Sequence, residues 1–221
     1  MVICIQCGAK QESITAVLEY SPGNIKLLRC IRCGEVVDKY IEYEGLLILI
    51  DMALLKVEAH RHVLSNRKFP YKLFPFHIFL ELTLRLAHIE HRSEDFQQMV
   101  QNPIEFAWLV SSVSMSGVVS MFVVYVATYI FVGSISSCQM ACKTVALESS
   151  VKSIFLVMGV WTYPVSFLFI LRILSVACTS VGLKASIPSF SVFQTLIIGI
   201  VVGSIQGYGS SLGDFFSIAV V

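Results

Sequence analysis

From Phe106 to Cys142 not one residue is acidic or basic. A helix that is apolar all round belongs in a large core or a bilayer. Phe106 to Val132 is by itself long enough to cross a hydrocarbon layer of ~30 Å with some tilt. Two more uncharged runs follow. Ile154 to Leu171 is interrupted by Pro164, which a bilayer helix tolerates, and Ala185 to Gly213 has its apolar centre at Val192 to Ile205. Three membrane spans are expected, with Arg172 snorkelling toward an interface.

The first half of the chain is built differently. Of 31 acidic and basic residues, 24 lie in residues 1–103, twelve of each sign. The balance gives no basic face of the kind that binds nucleic acid. Met1-Val-Ile-Cys4 lacks the basic start of a secretory signal. Insertion is therefore expected to rely on the internal apolar segments, leaving the N-terminal region on the cytosolic side.

Within that polar half, Cys4-x2-Cys7 and Cys30-x2-Cys33 supply four thiolates in two pairs. Each Cys-x-x-Cys turn presents two sulfurs to one side of a tetrahedron, and two such turns complete it. Gly8 and Gly34 follow the pairs immediately and supply residues that accept positive φ. Between them, Ile14 to Tyr20 and Ile25 to Cys30 read as strands around the turn Ser21-Pro22-Gly23-Asn24, and Glu35 to Tyr43 reads as a third. Three short strands bury too little to fold alone, so a metal or disulfide staple is expected. Zinc is the expected occupant, and iron shares the same ligand set. A closed four-cysteine site has no open coordination position, so its role is structural.

Residues 45–64 read as one helix with an apolar stripe at Leu46, Leu49, Ile50, Ala53, Leu54 and Val57, lying on the membrane surface. Arg61, Arg67, Lys68 and Lys72 form a basic linker suited to anionic headgroups. From 73 to 92, His77, Glu81, Arg85, His88 and Arg92 recur at helical spacing and form one polar stripe, expected at the interface.

Catalytic patterns are sparse. Neither a nucleophile elbow nor a phosphate-binding glycine loop occurs. His88-x-x-His91 resembles one box of a membrane di-iron enzyme, but five histidines in the whole chain are too few for such a centre. The chain reads as a non-enzyme.

Cys4-Ile-Gln-Cys7-Gly8, Tyr20-Ser21-Pro22-Gly23-Asn24-Ile25, Cys30-x2-Cys33-Gly34 and Asp38-Lys39-Tyr40-Ile41-Glu42 together resemble the homology domain of the ARV family. Ile50-Asp51, Lys56 and Arg61-His62-Val63-Leu64-Ser65-Asn66 extend the resemblance, which covers residues 1–66 well and the later spans in type. His60 stands where Tyr is expected and Ser65 where Phe is expected. The resemblance implies a multi-pass endoplasmic-reticulum membrane protein serving sterol and sphingolipid homeostasis. It further implies roles in sterol transport out of that membrane and in early glycosylphosphatidylinositol anchor assembly. Membrane lipids, sterol above all, are the implied partners, with a lipid or anchor-assembly enzyme as the alternative. Asp38, Lys39 and Tyr40 are the family-matching residues that are candidates for lipid or partner contact, with a structural role as the alternative.

The expected fold class is a small β zinc ribbon followed by an all-α membrane region with interfacial and transmembrane helices. Residues 1–44 form the ribbon, 45–103 the amphipathic helices and basic linker, and 104–221 the transmembrane region.

Overall fold

The computed structural model describes residues 2–13, 16–21, 24–68, 73–90, 102–158 and 165–219. Its N-terminal module holds two matching knuckles. Cys4 N donates to Ala9 O (2.9 Å) and Gly8 N to Cys4 O (2.9 Å). The second knuckle repeats this with Cys30 N to Glu35 O (2.8 Å) and Gly34 N to Cys30 O (2.9 Å). Gly8 and Gly34 take φ of 72° and 77°, the left-handed conformation that closes each loop without a Cβ penalty. Each knuckle is pinched by one bridge, Ile3 to Lys10 and Arg29 to Val36.

Between the knuckles, β1 (Val17–Ser21) and β2 (Asn24–Leu27) pair antiparallel, Val17 opposite Leu27 and Ser21 opposite Asn24. The sheet has two strands. The expected third strand over Glu35 to Tyr43 is absent. Val36 makes its single bridge, and Val37 N bonds Leu28 O while its own carbonyl accepts from Ile5 N. The chain then enters a 3-10 helix at Lys39–Glu42. Asp38 stops the strand by capping that helix, its carboxylate accepting from Tyr40 N at 3.0 Å.

The helix expected over 45–64 is broken. Helix α1 (Gly45–Ala53) ends in a reversal at Leu55, the single non-glycine residue with positive φ (59°) among those described, and α2 (Val57–Arg61) runs into a π turn at His62–Asn66. A left-handed Leu costs about 1–2 kcal/mol. The reversal is held by Asp51, whose carbonyl accepts from Lys56 N and whose carboxylate pairs with Lys56 Nζ at 2.7 Å.

The remaining described residues are mostly helical: α3 (Leu73–Glu90), α4 (Pro103–Val132), α5 (Ile135–Met158), α6 (Val165–Ser186) and α7 (Val192–Ala219). Asn102 caps α4 and Pro103 opens it; Gly133 (φ 67°) ends it. Helices α4 to α7 close a four-membered ring, α4 on α5 and α7, α6 on α5 and α7, with α3 laid over α4 and α5. Phe131 and Phe190 meet edge to face at 6.1 Å, so the α4–α5 and α6–α7 turns share one end of the bundle.

Among the described residues two helices are long and apolar enough to cross a membrane: Pro103–Val132 and Phe169–Ser186. The uncharged run Ile154 to Leu171 divides between α5 and α6, part of it outside the described residues. The membrane-length stretch lies further on and takes in Arg172 and Lys184, near its two ends. The third run starts its helix, α7, at Val192, and the part of it with described side chains, Val192–Gln206, is apolar.

The polar stripe of α3 turns inward. His77 is 2% exposed and packs its ring against Gly117 of α4, and Glu81 is also buried. The side chains of Arg85 and His88, together with His91 and Arg92, lie outside the described residues.

Candidate metal centre

The sulfurs of Cys4, Cys7, Cys30 and Cys33 lie within 4.8 Å of one another. Cys4 to Cys33 and Cys7 to Cys30 are each 3.7 Å apart. A tetrahedron with metal–sulfur bonds of ~2.3 Å has edges of about 3.8 Å, so the donors stand where a tetrahedral ion needs them. The four cysteines could hold a metal ion, and tetrahedral sulfur suits zinc or iron.

Cys4 and Cys30 are buried, Cys7 is half-buried and Cys33 is exposed. Burial pushes the Cys4 thiol up to about 12, its neighbouring thiols adding to the rise. Burial also raises Cys30, but the amides of Cys33 and Arg32 and the thiols beside it outweigh that and bring it to about 6. Gln11 braces this corner. It is buried, its amide nitrogen donates to Cys30 Sγ at 3.3 Å, and its oxygen accepts from Ile31 N at 3.5 Å. Nothing in the spacing of the cysteines points to Gln11. Its position three residues beyond Gly8, opposite the second knuckle, becomes meaningful once the hairpin closes.

The module's own core is small: Val2, Cys4, Ala16, Cys30 and Val37. A larger core joins it to the helices, with Ile5 and Tyr40 from the module, Ile48, Met52, Ala59, Val63 and Leu64 from the α1–α2 region, and Ala146, Leu147 and Cys178 from α5 and α6.

Polar contacts reinforce the joint. Asp38, 0% exposed, accepts from Tyr40 N, from His62 Nδ1 at 2.7 Å and from Asn66 Nδ2 at 2.8 Å. Asn66 also exchanges two bonds with the Ile3 backbone, at 2.9 and 2.8 Å. Tyr40, 1% exposed, donates its hydroxyl to Asp51 Oδ2 at 2.8 Å. Burial first, then this bond, raises the phenol above its ordinary range, while Lys56 and Tyr40 hold Asp51 below the usual carboxylate value. Arg61 Nη1 donates to the Ile5 and Gln6 carbonyls at 2.9 and 2.6 Å, and its Nε to Ala185 O of α6 at 3.4 Å.

The motif Asp38-Lys39-Tyr40 is thus turned inward. Asp38 and Tyr40 have no surface to offer lipid or partner, because both are engaged in joining the module to α1 and the π turn after α2. Lys39 is half-buried with its ammonium 5.4 Å from the Tyr40 ring centre.

His60, read from sequence only as a departure from an expected Tyr, is buried between α2 and α6. Its Nδ1 lies 3.0 Å from Lys56 O, an acceptor, so that nitrogen carries the proton. Its Nε2 then accepts from Cys178 Sγ at 3.1 Å. Burial lowers the pKa of His60, with the Lys56 carbonyl opposing.

A four-cysteine module able to hold a metal ion, latched by buried polar contacts to a mostly helical body with two membrane-length helices, defines the class. The model of the Arv1-like family matches residues 3–183, and the chain belongs to that family. Protein ARV 2 of Arabidopsis thaliana is 31% identical over 193 residues, 84% of each chain. Protein ARV 1 of the same plant is 29% identical over 198 residues, 84% of this chain and 78% of the relative. Protein ARV1 of Homo sapiens is 35% identical over 94 residues, 42% of this chain and 34% of the relative. No solved structure matches the chain.

Proposed function

We propose that the protein is a non-enzymatic mediator of sterol and sphingolipid homeostasis, moving sterol out of the endoplasmic-reticulum membrane and supporting early glycosylphosphatidylinositol anchor assembly. Family membership supports this reading, the lipid class being what the family resemblance implies. The observation that carries the reading is the latch: Arg61 ties the Ile5 and Gln6 carbonyls of the four-cysteine module to Ala185 of a helix long and apolar enough to cross a membrane, and His60 beside it fixes α2 to Cys178 of the same helix. In this reading zinc fixes the module in shape on the cytosolic side, and the helical body supplies the lipid-facing surfaces. Around α4, α6 and α7 large apolar side chains stand exposed, among them Phe122, Ile173 and Ile197, as a lipid-solvated body requires.

A second reading makes the module a recruiting scaffold for a lipid or anchor-assembly enzyme. Ile31 favours it, standing 85% exposed at the tip of the second knuckle.

Photolabelling separates the two. The purified, detergent-solubilised protein is labelled with a photoreactive sterol, with unlabelled sterol as competitor. Saturable, competed labelling within residues 73–205 is expected. Absent or uncompeted labelling on folded, metal-loaded protein would sink the sterol reading and favour a partner that co-purifies only with an intact module.

A further inference from the structure

Helix α1 is apolar on both sides. Ile48 and Met52 face inward and join the core shared with α5 and α6. On the opposite side Leu46, Leu47, Ile50 and Leu54 are 65, 50, 43 and 65% exposed. At 100° per residue those four fall within one stripe of about 100°, facing away from Ile48 and Met52. The helix has one charged residue, Asp51, and its carboxylate is engaged by Tyr40 and Lys56. A helix on a water-facing surface would carry polar residues on its outer side. This one does not.

Its position says what covers it. The α2 residue that comes after the reversal, His60, touches Cys178, eight residues before the end of α6 at Ser186, which is about 12 Å along a helix axis. Arg61 reaches Ala185, next to that end. The inner face of α1 shares its core with Cys178 and with Leu174, four residues deeper along α6. That stretch lies inside the membrane-length segment Phe169–Ser186. The outer face of α1 is therefore level with the interior of a segment of bilayer length.

We propose that α1 is a one-leaflet wedge, its face of Leu46, Leu47, Ile50 and Leu54 lying among the acyl chains of the monolayer on the module's side. The reading rests on the helical body being membrane-embedded. It adds that the chain just after the metal module enters the bilayer from one side, turns at Leu55 and comes back. An element inserted into a single leaflet spreads that leaflet's headgroups, and the four-cysteine module sits directly above it.

Depth-dependent quenching tests this in the full chain. Trp108→Phe and Trp161→Phe remove the native indoles, and Leu47→Trp or Ile50→Trp then places one on the outer face of α1. Phe122→Trp, on the exposed side of α4, reports the helical body. Each protein is reconstituted in phosphatidylcholine vesicles with ordinary or dibrominated acyl chains. The wedge requires that Leu47→Trp and Ile50→Trp emission be blue-shifted, largely lost in brominated lipid and insensitive to acrylamide, as for Phe122→Trp. Quenching of Phe122→Trp alone, with both α1 probes open to acrylamide, would overturn the wedge, leave the embedded body standing and point to a protein on that face. If none is quenched by lipid, the membrane reading falls with it. Two α1 positions are used so that misfolding of one does not decide the outcome, native helicity by circular dichroism being required of each.

Discussion

The Asp38 carboxylate and the His62 imidazole meet 2.7 Å apart, both buried, and join the 3-10 helix of the four-cysteine module to the π turn after α2. Because the same carboxylate also receives Tyr40 N and Asn66 Nδ2, it is the acceptor on which the joint converges. Asp38→Ala strands three donors in a buried place, at about 1–3 kcal/mol each. Denaturant unfolding should show a loss of about 3 kcal/mol or more, and limited proteolysis should open the chain near the α1–α2 reversal. An unchanged midpoint and digestion pattern would refute the joint.

The module's small core and its four converging sulfurs predict that its fold depends on a metal ion bound there. Elemental analysis is expected to find a single bound metal per chain, lost in Cys4→Ser and in Cys30→Ser. Chelation should disorder the knuckles and hairpin and leave the helical circular dichroism nearly intact. A chelated protein with native module signals in NMR would contradict this.

Two groups of the joint set its pH limits in opposite directions. Burial and Asp51 raise the Tyr40 phenol. A raised folded value means stability that is complete below the ordinary 10.0 and is lost as pH climbs above it. Burial lowers His60, so its contribution is complete above the ordinary 6.5 and is lost as pH falls below it. Tyr40→Phe should cost about 1 kcal/mol at neutral pH and flatten the alkaline limb of a stability profile. His60→Gln should flatten the limb below 6.5 with metal still bound. Limbs that persist in these variants would assign the titration elsewhere.

Helices α5 and α6 cross closely at Gly182, where an added Cβ would stand 2.5 Å from Thr144 Cγ2 and 3.4 Å from His60 Cδ2. Gly182→Ala should destabilise by about 1–3 kcal/mol through overpacking. Thr144→Ser removes the nearest methyl and should restore part of the loss. Thermal unfolding of the two single variants and the pair measures the coupling; additive effects would argue against the crossing.

What the sequence revealed was local. The cysteine pairs, Gly8, Gly34 and the hairpin are encoded within a few residues of one another, and α4 announces itself by length, with Asn102-Pro103 at its start and Gly133 at its end. The orientation of Asp38 and Tyr40 was not legible. Their partners stand 24 and 11 residues away, and a motif marks residues without saying which way they face. The break at Leu55 carries no Gly or Pro signal; it arises from packing and from the Asp51–Lys56 pair. The membrane-length part of α6 was hidden because an uncharged-run criterion stops at Arg172 and Lys184. For α3 the helical period identified the His77–Glu81 face correctly, and only tertiary packing decided that it turns inward.

His60 finds Cys178 only after 118 further residues have been made, and Arg61 finds Ala185 after 124. At ~5–20 residues per second of synthesis, that is a delay of about 6–24 s. Throughout it the newborn module has its contacts with α1 and the π turn but not its seat on α6, and it keeps its shape on those bonds and five core residues of its own. An ion taken up by the four sulfurs at this stage would hold the segment as a folded unit before α6 exists.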